Sequence, residues 1–284
     1  MKKTTLYTFI LLAIFFSACK EEPIVIPILS GNGNPTGGTA IEKKIFVEEY
    51  TGAGCVNCPD GAAILNDLRT NTYKEKLILV SVHAGFFTKK SQVPKEAKFD
   101  FTTTKGTELQ LFLGEPNGYP AAIVNRKIRD SNTGSLVAES KDQWASIIQT
   151  ESKEKAQAKL VFKNGFDPAT RNLQINFQIE PNETLSGDYA YTVMITENNV
   201  TDAQKTPTGV KTDYVHRHIL RDILTAAQGN AIAEKLTKGV SVGKSLSYTL
   251  PTAWKSKDCE VIVILHKTGA SKEVIQAEDE VVEK

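Results

Sequence analysis

Two cysteines three positions apart, Cys55 and Cys58, stand between a strand-like run and a helix-like run. That placement constrains the fold more than any other feature of the chain. Lys44 to Tyr50 is a hydrophobic strand pattern, and Asp60 to Arg69 carries Ala62, Ile64, Leu65 and Leu68 at helical spacing. A strand-to-helix turn puts the first thiol at a helix N-terminus, where free backbone N–H groups and the macrodipole favour the thiolate. The thiolate is the attacking form, so the pattern points to thiol–disulfide exchange. A structural disulfide and half of a zinc site are the competing readings. Four-ligand zinc sites usually need a second Cys or His pair. Cys259 lies in another segment, and His83 alone does not complete a set.

The first eighteen residues read as a leader. Met1-Lys2-Lys3 is a positive start, Leu6 to Phe16 is apolar, and small residues precede Cys19. Phe16-Ser17-Ala18-Cys19 resembles a bacterial lipobox. The resemblance implies cleavage before Cys19 and lipidation of that cysteine. Phe16 departs from the usual aliphatic residue, and a plain secretory signal is the alternative. The apolar run is shorter than the ~20 residues a membrane span needs. Lys20-Glu21-Glu22 resembles the surface-export signal of some Bacteroidetes lipoproteins, so an external and a periplasm-facing anchor both remain open. Residues 19–40, rich in Gly, Pro and Asn, read as a flexible tether. Without Lys2 and Lys3 the 34 basic residues fall to 32, against 33 acidic ones. No basic stripe implies a nucleic-acid partner. An exported protein sits where disulfides persist.

From 41 to 152 the pattern is α/β. Leu77 to His83 is a nearly continuous apolar run, as in a strand buried on both faces. With the first strand and helix it makes a right-handed βαβ unit. A helical pattern follows around Thr107 to Phe112, then Gly118-Tyr119-Pro120 leading into a strand. Next come a hairpin signal at Asn132-Thr133-Gly134 and a closing helix over Val137 to Thr150. From 153 to 284 alternating runs dominate: Ala156–Lys163, Asn172–Ile179, Asp188–Thr196, Ser245–Leu250, Cys259–His266 and Glu273–Ala277. With a strand over Tyr214 to Leu220 they supply about seven strands for an immunoglobulin-like β-sandwich. Ile232 to Leu236 reads as a short helix.

The order CxxC, helix, strand, X-Pro, strand resembles the thioredoxin superfamily. The resemblance implies a thioredoxin fold with a cis-proline, here Pro120, beside the cysteines. The backbone of Tyr119 would then face a bound peptide. Cys55 would be the nucleophile and Cys58 the resolving thiol. Gly54 stands where that family has an aromatic residue, and Val56-Asn57 replaces Gly-Pro. Those departures leave the direction of electron flow open. His83, at the end of the second strand, shares the sheet edge with Cys55 and is a candidate acid or base. Of Glu48 and Glu49, one is expected buried near Cys58 as a proton acceptor and the other outward. His216 and His218, two apart on a strand, would share one face. They suit a structural or contact role better than a metal, and no metal or cofactor is expected. Cys259 reads as a buried thiol.

Several segments occur together: the lipoprotein start, Tyr50-Thr51-Gly52, Cys55-Val56-Asn57-Cys58-Pro59, Ser81-Val82-His83-Ala84-Gly85, Gly118-Tyr119-Pro120 and Tyr214-Val215-His216-Arg217-His218-Ile219-Leu220-Arg221. The combination resembles the outer-membrane-protein-twenty-eight family of Bacteroidetes lipoproteins. That resemblance implies a thioredoxin-like domain followed by a β-rich domain, anchored at the outer membrane through lipid on Cys19. Two functions follow as expectations. One is thiol–disulfide exchange on envelope or secreted proteins. The other is a surface adhesin or receptor whose Cys55–Cys58 pair is only structural.

Overall fold

Seven consecutive buried residues, Ile45–Thr51, form β1, a central strand with both faces covered. The computed structural model describes residues 41–284; the leader over 1–18, the tether over 19–40 and Cys19 lie outside the described residues. α1 (Cys58–Asp67) crosses to β2 (Leu77–His83), which runs parallel to β1 with Thr51 opposite His83. On one face of these strands, Phe46, Tyr50, Ile78, Val80 and Val82 meet Leu109 and Leu113 of α2 (Thr104–Leu113). β3 (Ala121–Val124) pairs antiparallel with β1, and β4 (Val137–Ala138) pairs with β3. On the opposite face, Ile45, Val47, Leu77 and Leu79 meet Leu65 of α1 and Trp144 and Ile148 of α3 (Trp144–Glu151). The closing helix is therefore shorter than expected. Val137 and Ala138 join the sheet edge, and the chain turns helical again only near Lys141.

Burial on both faces corrects the expectation for the paired acids. Glu48 and Glu49 point to opposite faces of β1, yet neither faces outward: they are 0% and 3% exposed. Glu48 is matched by Arg126, whose Nη2 lies 2.6 Å from Oε1 and whose Nε lies 3.0 Å from Oε2.

The rest of the chain is β-rich: β5 (Ala158–Asp167), β6 (Asn172–Pro181), β7 (Tyr189–Glu197), β8 (Val200–Thr206), β9 (Gly209–His216), β10 (Ile219–Ile223), β11 (Asn230–Ala231), β12 (Val242–Thr249), β13 (Cys259–Lys267) and β14 (Val274–Val281). The boundary at 152/153 does not divide the main sheet. Its nine strands run β14-β13-β7-β10-β2-β1-β3-β4, with β11 on β7. β10 is the junction. It lies parallel to β2, with Ile219 opposite Ser81, and antiparallel to β7. One apolar cluster spans the join, uniting Phe46, Val80 and Leu109 with Met194, Leu220, Ile262 and Ile264. The three-stranded sheet β12-β6-β5 packs Leu173, Ile175, Phe177 and Ile179 on Val193, Val261, Val263 and Ile275. The β-rich segment thus has two layers, and one of them continues into the parallel strands.

Two local expectations are corrected. Tyr214 to Leu220 is not one strand. β9 ends at His216, His218 takes a left-handed φ of 53°, and β10 starts at Ile219. The two histidines therefore do not share a strand face. Ile232 to Leu236 is an extended loop. Its backbone bonds run outward, from Ile232 N–H to Tyr189 and from Leu185 N–H to the Leu236 carbonyl, rather than along a helix. Among the described residues no helix is long and apolar enough to cross a membrane.

Candidate functional site

The turn after β1 carries the cysteine pair as a disulfide, with Cα atoms 5.4 Å apart. α1 starts at Cys58, so Cys55 sits in the turn just before the helix, its N–H donating to the Gly52 carbonyl at 2.9 Å. Pro59 lies in the first helical turn, where a missing N–H costs nothing. Both cysteines are 1% exposed.

Gly54 has a steric cause that the sequence does not reveal. A Cβ there would lie 2.6 Å from the Gln92 carbonyl oxygen and 2.7 Å from that of Phe87. The segment after β2 crosses this close, and Gly54 N–H donates to Phe87 at 3.0 Å. No larger residue fits before Cys55. Gly54→Ala is expected to lose about 1–3 kcal/mol through overpacking, read as a drop in urea midpoint at unchanged slope. An unaltered midpoint would show that the crossing segment yields freely.

The Tyr119–Pro120 peptide bond is cis. Pro120 is buried against α1 at Gly61, where a Cβ would approach its Cγ to 2.7 Å and Glu49 Oε1 to 3.1 Å. Gly61 thus lets the proline ring and the Glu49 carboxyl close on the helix one turn beyond Cys58. The Tyr119 hydroxyl donates to the Ala84 carbonyl at 2.9 Å and accepts from Gln110 Nε2 at 2.6 Å. An open groove of about 730 Å³ lies there, lined by Phe86, Phe87, Tyr119 and Gly118 among others.

Glu49 is the electrostatic anomaly of the site. Glu48, Glu151 and Glu197, equally buried, face Arg126, Lys127 and Arg221 at 2.6, 3.0 and 2.9 Å. Glu49 has only the Ser81 hydroxyl, which donates to Oε2 at 3.3 Å, and Oε1 has no partner. Burial pushes its carboxyl up to about 8 against the small opposing pull of that hydrogen bond. At neutral pH it is an acid with a proton to give, and above its pKa it is a base.

His83 ends β2 at 5% exposure, its ring 5.0 Å from that of Phe101 and 5.9 Å from that of His216. Burial, reinforced by the neighbouring His216, pushes it down to about 3. A neutral imidazole lends no positive charge to a thiolate, so any role for His83 near neutral pH is that of an uncharged group. His216 lies near Asp202, yet burial holds it down to about 4; burial and then Arg69 hold His218 down to about 3. Among the described residues no three His, Cys, Asp or Glu groups converge as metal ligands would. Cys259 is buried, and desolvation pushes its thiol up to about 12, which makes it a poor nucleophile. Sequence reasoning missed the contribution of β8. Gln204 Nε2 donates to the carbonyl of Cys55 at 2.9 Å, and Lys205 N–H donates to that of Ala53 at 2.9 Å.

Comparison with known proteins defines the class. The sequence model of the family described as outer membrane protein Omp28 matches residues 115–284, more than half of the 284-residue chain. The chain belongs to that outer membrane protein family. The matched span begins after Cys58, so the membership does not itself speak for the cysteines. Among solved structures, HBP35 of Porphyromonas gingivalis superposes with a TM-score of 0.66 at 21% identity, covering 86% of this chain and 77% of that one. A protein of Agrobacterium tumefaciens gives 0.53 at 17% identity, covering 86% and 96%. At such identities the likeness is one of fold. No curated protein matches the chain.

Proposed function

We propose that this chain is an outer membrane lipoprotein, anchored through Cys19, whose thioredoxin-like unit exchanges disulfides with envelope or secreted proteins. Residues 41–152 supply most of that unit, β10 completes its sheet, and a sandwich of immunoglobulin-like layering follows. One observation carries the reading. Glu49, a buried carboxyl with no cation, is held near neutral pKa one helical turn beyond a CxxC disulfide. A structural bridge has no use for such a group, whereas proton transfer at neutral pH does.

In the exchange step a substrate thiolate attacks Cys55 Sγ. The Cys55–Cys58 bond breaks, and Cys58 leaves as a thiolate that takes the Glu49 proton. A second substrate thiolate then attacks the mixed disulfide and releases Cys55. Two electrons pass from the substrate dithiol to the pair, and the same path runs in reverse from the dithiol form. The substrate strand would lie along the groove beside Tyr119 and Pro120, whose lining includes Phe86 and Phe87.

The test uses the reduced Cys58→Ser protein with envelope extract. Mixed disulfides through Cys55 are expected by mass spectrometry. Exchange by the wild type is expected to inflect near pH 8, and Glu49→Gln is expected to abolish that inflection. A Cys55 that stays inert after reduction, with no trapped partner, would sink the reading. The competing reading, a surface adhesin or receptor with a structural disulfide, draws on the burial of both sulfurs. It predicts that Cys55→Ser/Cys58→Ser lowers stability and leaves cell-surface ligand capture intact.

A further inference from the structure

β8 and β9 form a two-stranded hairpin outside both larger sheets. The turn is Pro207 and Thr208, and β9 is exposed from Gly209 to Asp213, so the outer strand gains little from packing. The inner strand lies on the cysteine turn. A register shift between Asp202 and Gln204 interrupts the β8–β9 ladder just before Gln204, a bulge of the kind that re-aims a side chain. Gln204 is 2% exposed. Its Nε2 donates to the carbonyls of Cys55 at 2.9 Å and Gly52 at 3.3 Å, and lies 3.0 Å from that of Lys205. The base of the hairpin is fixed separately. Asp202 accepts from the N–H groups of Lys98 at 2.9 Å and Phe99 at 2.8 Å.

Together these contacts describe a cover that is hinged at Asp202 and latched at Gln204. The disulfide in the turn so latched is buried, with each cysteine 1% exposed. Beside the buried Ala203, the polar holds on the cysteine turn are neutral hydrogen bonds from one carboxamide and the Lys205–Ala53 backbone bond. Each such bond is modest in net worth because water replaces it on opening. Local opening of a segment so held is far cheaper than global unfolding.

We infer that the β8–β9 hairpin gates access to Cys55 and that Gln204 is the positioning residue that latches it closed over the cysteine turn. The identity of the admitted substrate rests on the exchange reading above; the gate itself does not. Its consequence is selectivity. A partner must wait for the open state or displace the hairpin, so thiols that merely collide with the surface are excluded.

The experiment is reduction of the oxidised full-length protein by increasing dithiothreitol, followed as appearance of the Cys55 and Cys58 thiols. The wild-type rate is expected to level off at high dithiothreitol, where opening becomes limiting. Gln204→Glu sets a carboxylate against the same carbonyls, and Gln204→Met keeps the bulk without the donor. Both are expected to raise the rate about tenfold or more and to restore linear dependence. Ile179→Val, a core change in β6 that lowers stability far from the hairpin, is expected to leave the rate alone. A wild-type rate that rises linearly to that of an open disulfide would overturn the gate, as would latch variants that reduce no faster. If the latch variants speed reduction while Cys58→Ser traps no partner, the gate stands and the exchange reading fails.

Discussion

Replacing Arg126 with methionine is expected to cost about 3–5 kcal/mol of folding stability, among the largest losses from any single change in this chain. Both Arg126 and Glu48 have fully buried side chains, joined by the two hydrogen bonds of a fork. The guanidinium also lies 6.0 Å from the centre of the Phe46 ring. Methionine fills similar space but leaves the Glu48 carboxylate in a dry strand centre with no counter-charge. That uncompensated charge, rather than the lost attraction, sets the size of the effect. The double change Glu48→Met/Arg126→Met removes both ions and is expected to recover most of the loss, because well-packed apolar replacements of a buried pair are often neutral or better. Urea denaturation of the three variants decides it. A single variant within about 1 kcal/mol of wild type, or a double variant as weak as the single, would mean that water reaches Glu48.

The parts of the site that the sequence disclosed are those written in local runs. β1, α1 and β2 each carry an apolar pattern of their own period, so the strand–turn–helix frame around Cys55 and Cys58 follows from neighbours alone. The fate of Glu48 and Glu49 does not. Their positions predict opposite faces, but that both faces are covered depends on α2 and Arg126 on one side and α1 on the other. The β8 stretch Val-Thr-Asp-Ala-Gln-Lys-Thr is polar and shows no alternation, so nothing local marks it as a strand. Gln204 is buried only because a segment about 150 residues earlier offers it carbonyls. The pair His216 and His218 misleads for the opposite reason. Alternation suggests one strand, whereas the chain must leave the hairpin there to insert β10 between β2 and β7. The bridge of Ile219 to Ser81 that pairs β10 with β2 has no counterpart in any short window of sequence.

Acid is expected to begin unfolding this protein above the pH at which ordinary carboxylates protonate. All four histidines are buried, and all are held neutral: His83, His218 and His266 near 3 and His216 near 4. His266 shows how. Burial comes first, the Arg126 charge adds to it, and its two nitrogens lie 2.9 Å from Thr192 Oγ1 and the Lys267 carbonyl. An unfolded chain protonates its histidines below about 6.5, while the folded chain refuses them until about 3 to 4. Between those limits the unfolded state binds more protons, so stability falls as pH falls, by about 1.4 kcal/mol per pH unit for each such group. Glu49 works against them. Its folded value is raised, so the folded state holds the extra proton from about pH 8 down to 4.5, and acid favours the fold there. One proton against four leaves the histidines in control. With a typical total stability of about 5–15 kcal/mol, the loss is large enough to complete unfolding between about pH 6 and 4. Urea titrations at successive pH values check this. His266→Gln removes one of the refused protons and, with Glu49 offsetting one of the four, is expected to flatten the slope by about a third. A stability that stays level from pH 7 to 4.5, or a slope unchanged by His266→Gln, would show that the four imidazoles take up protons inside the fold.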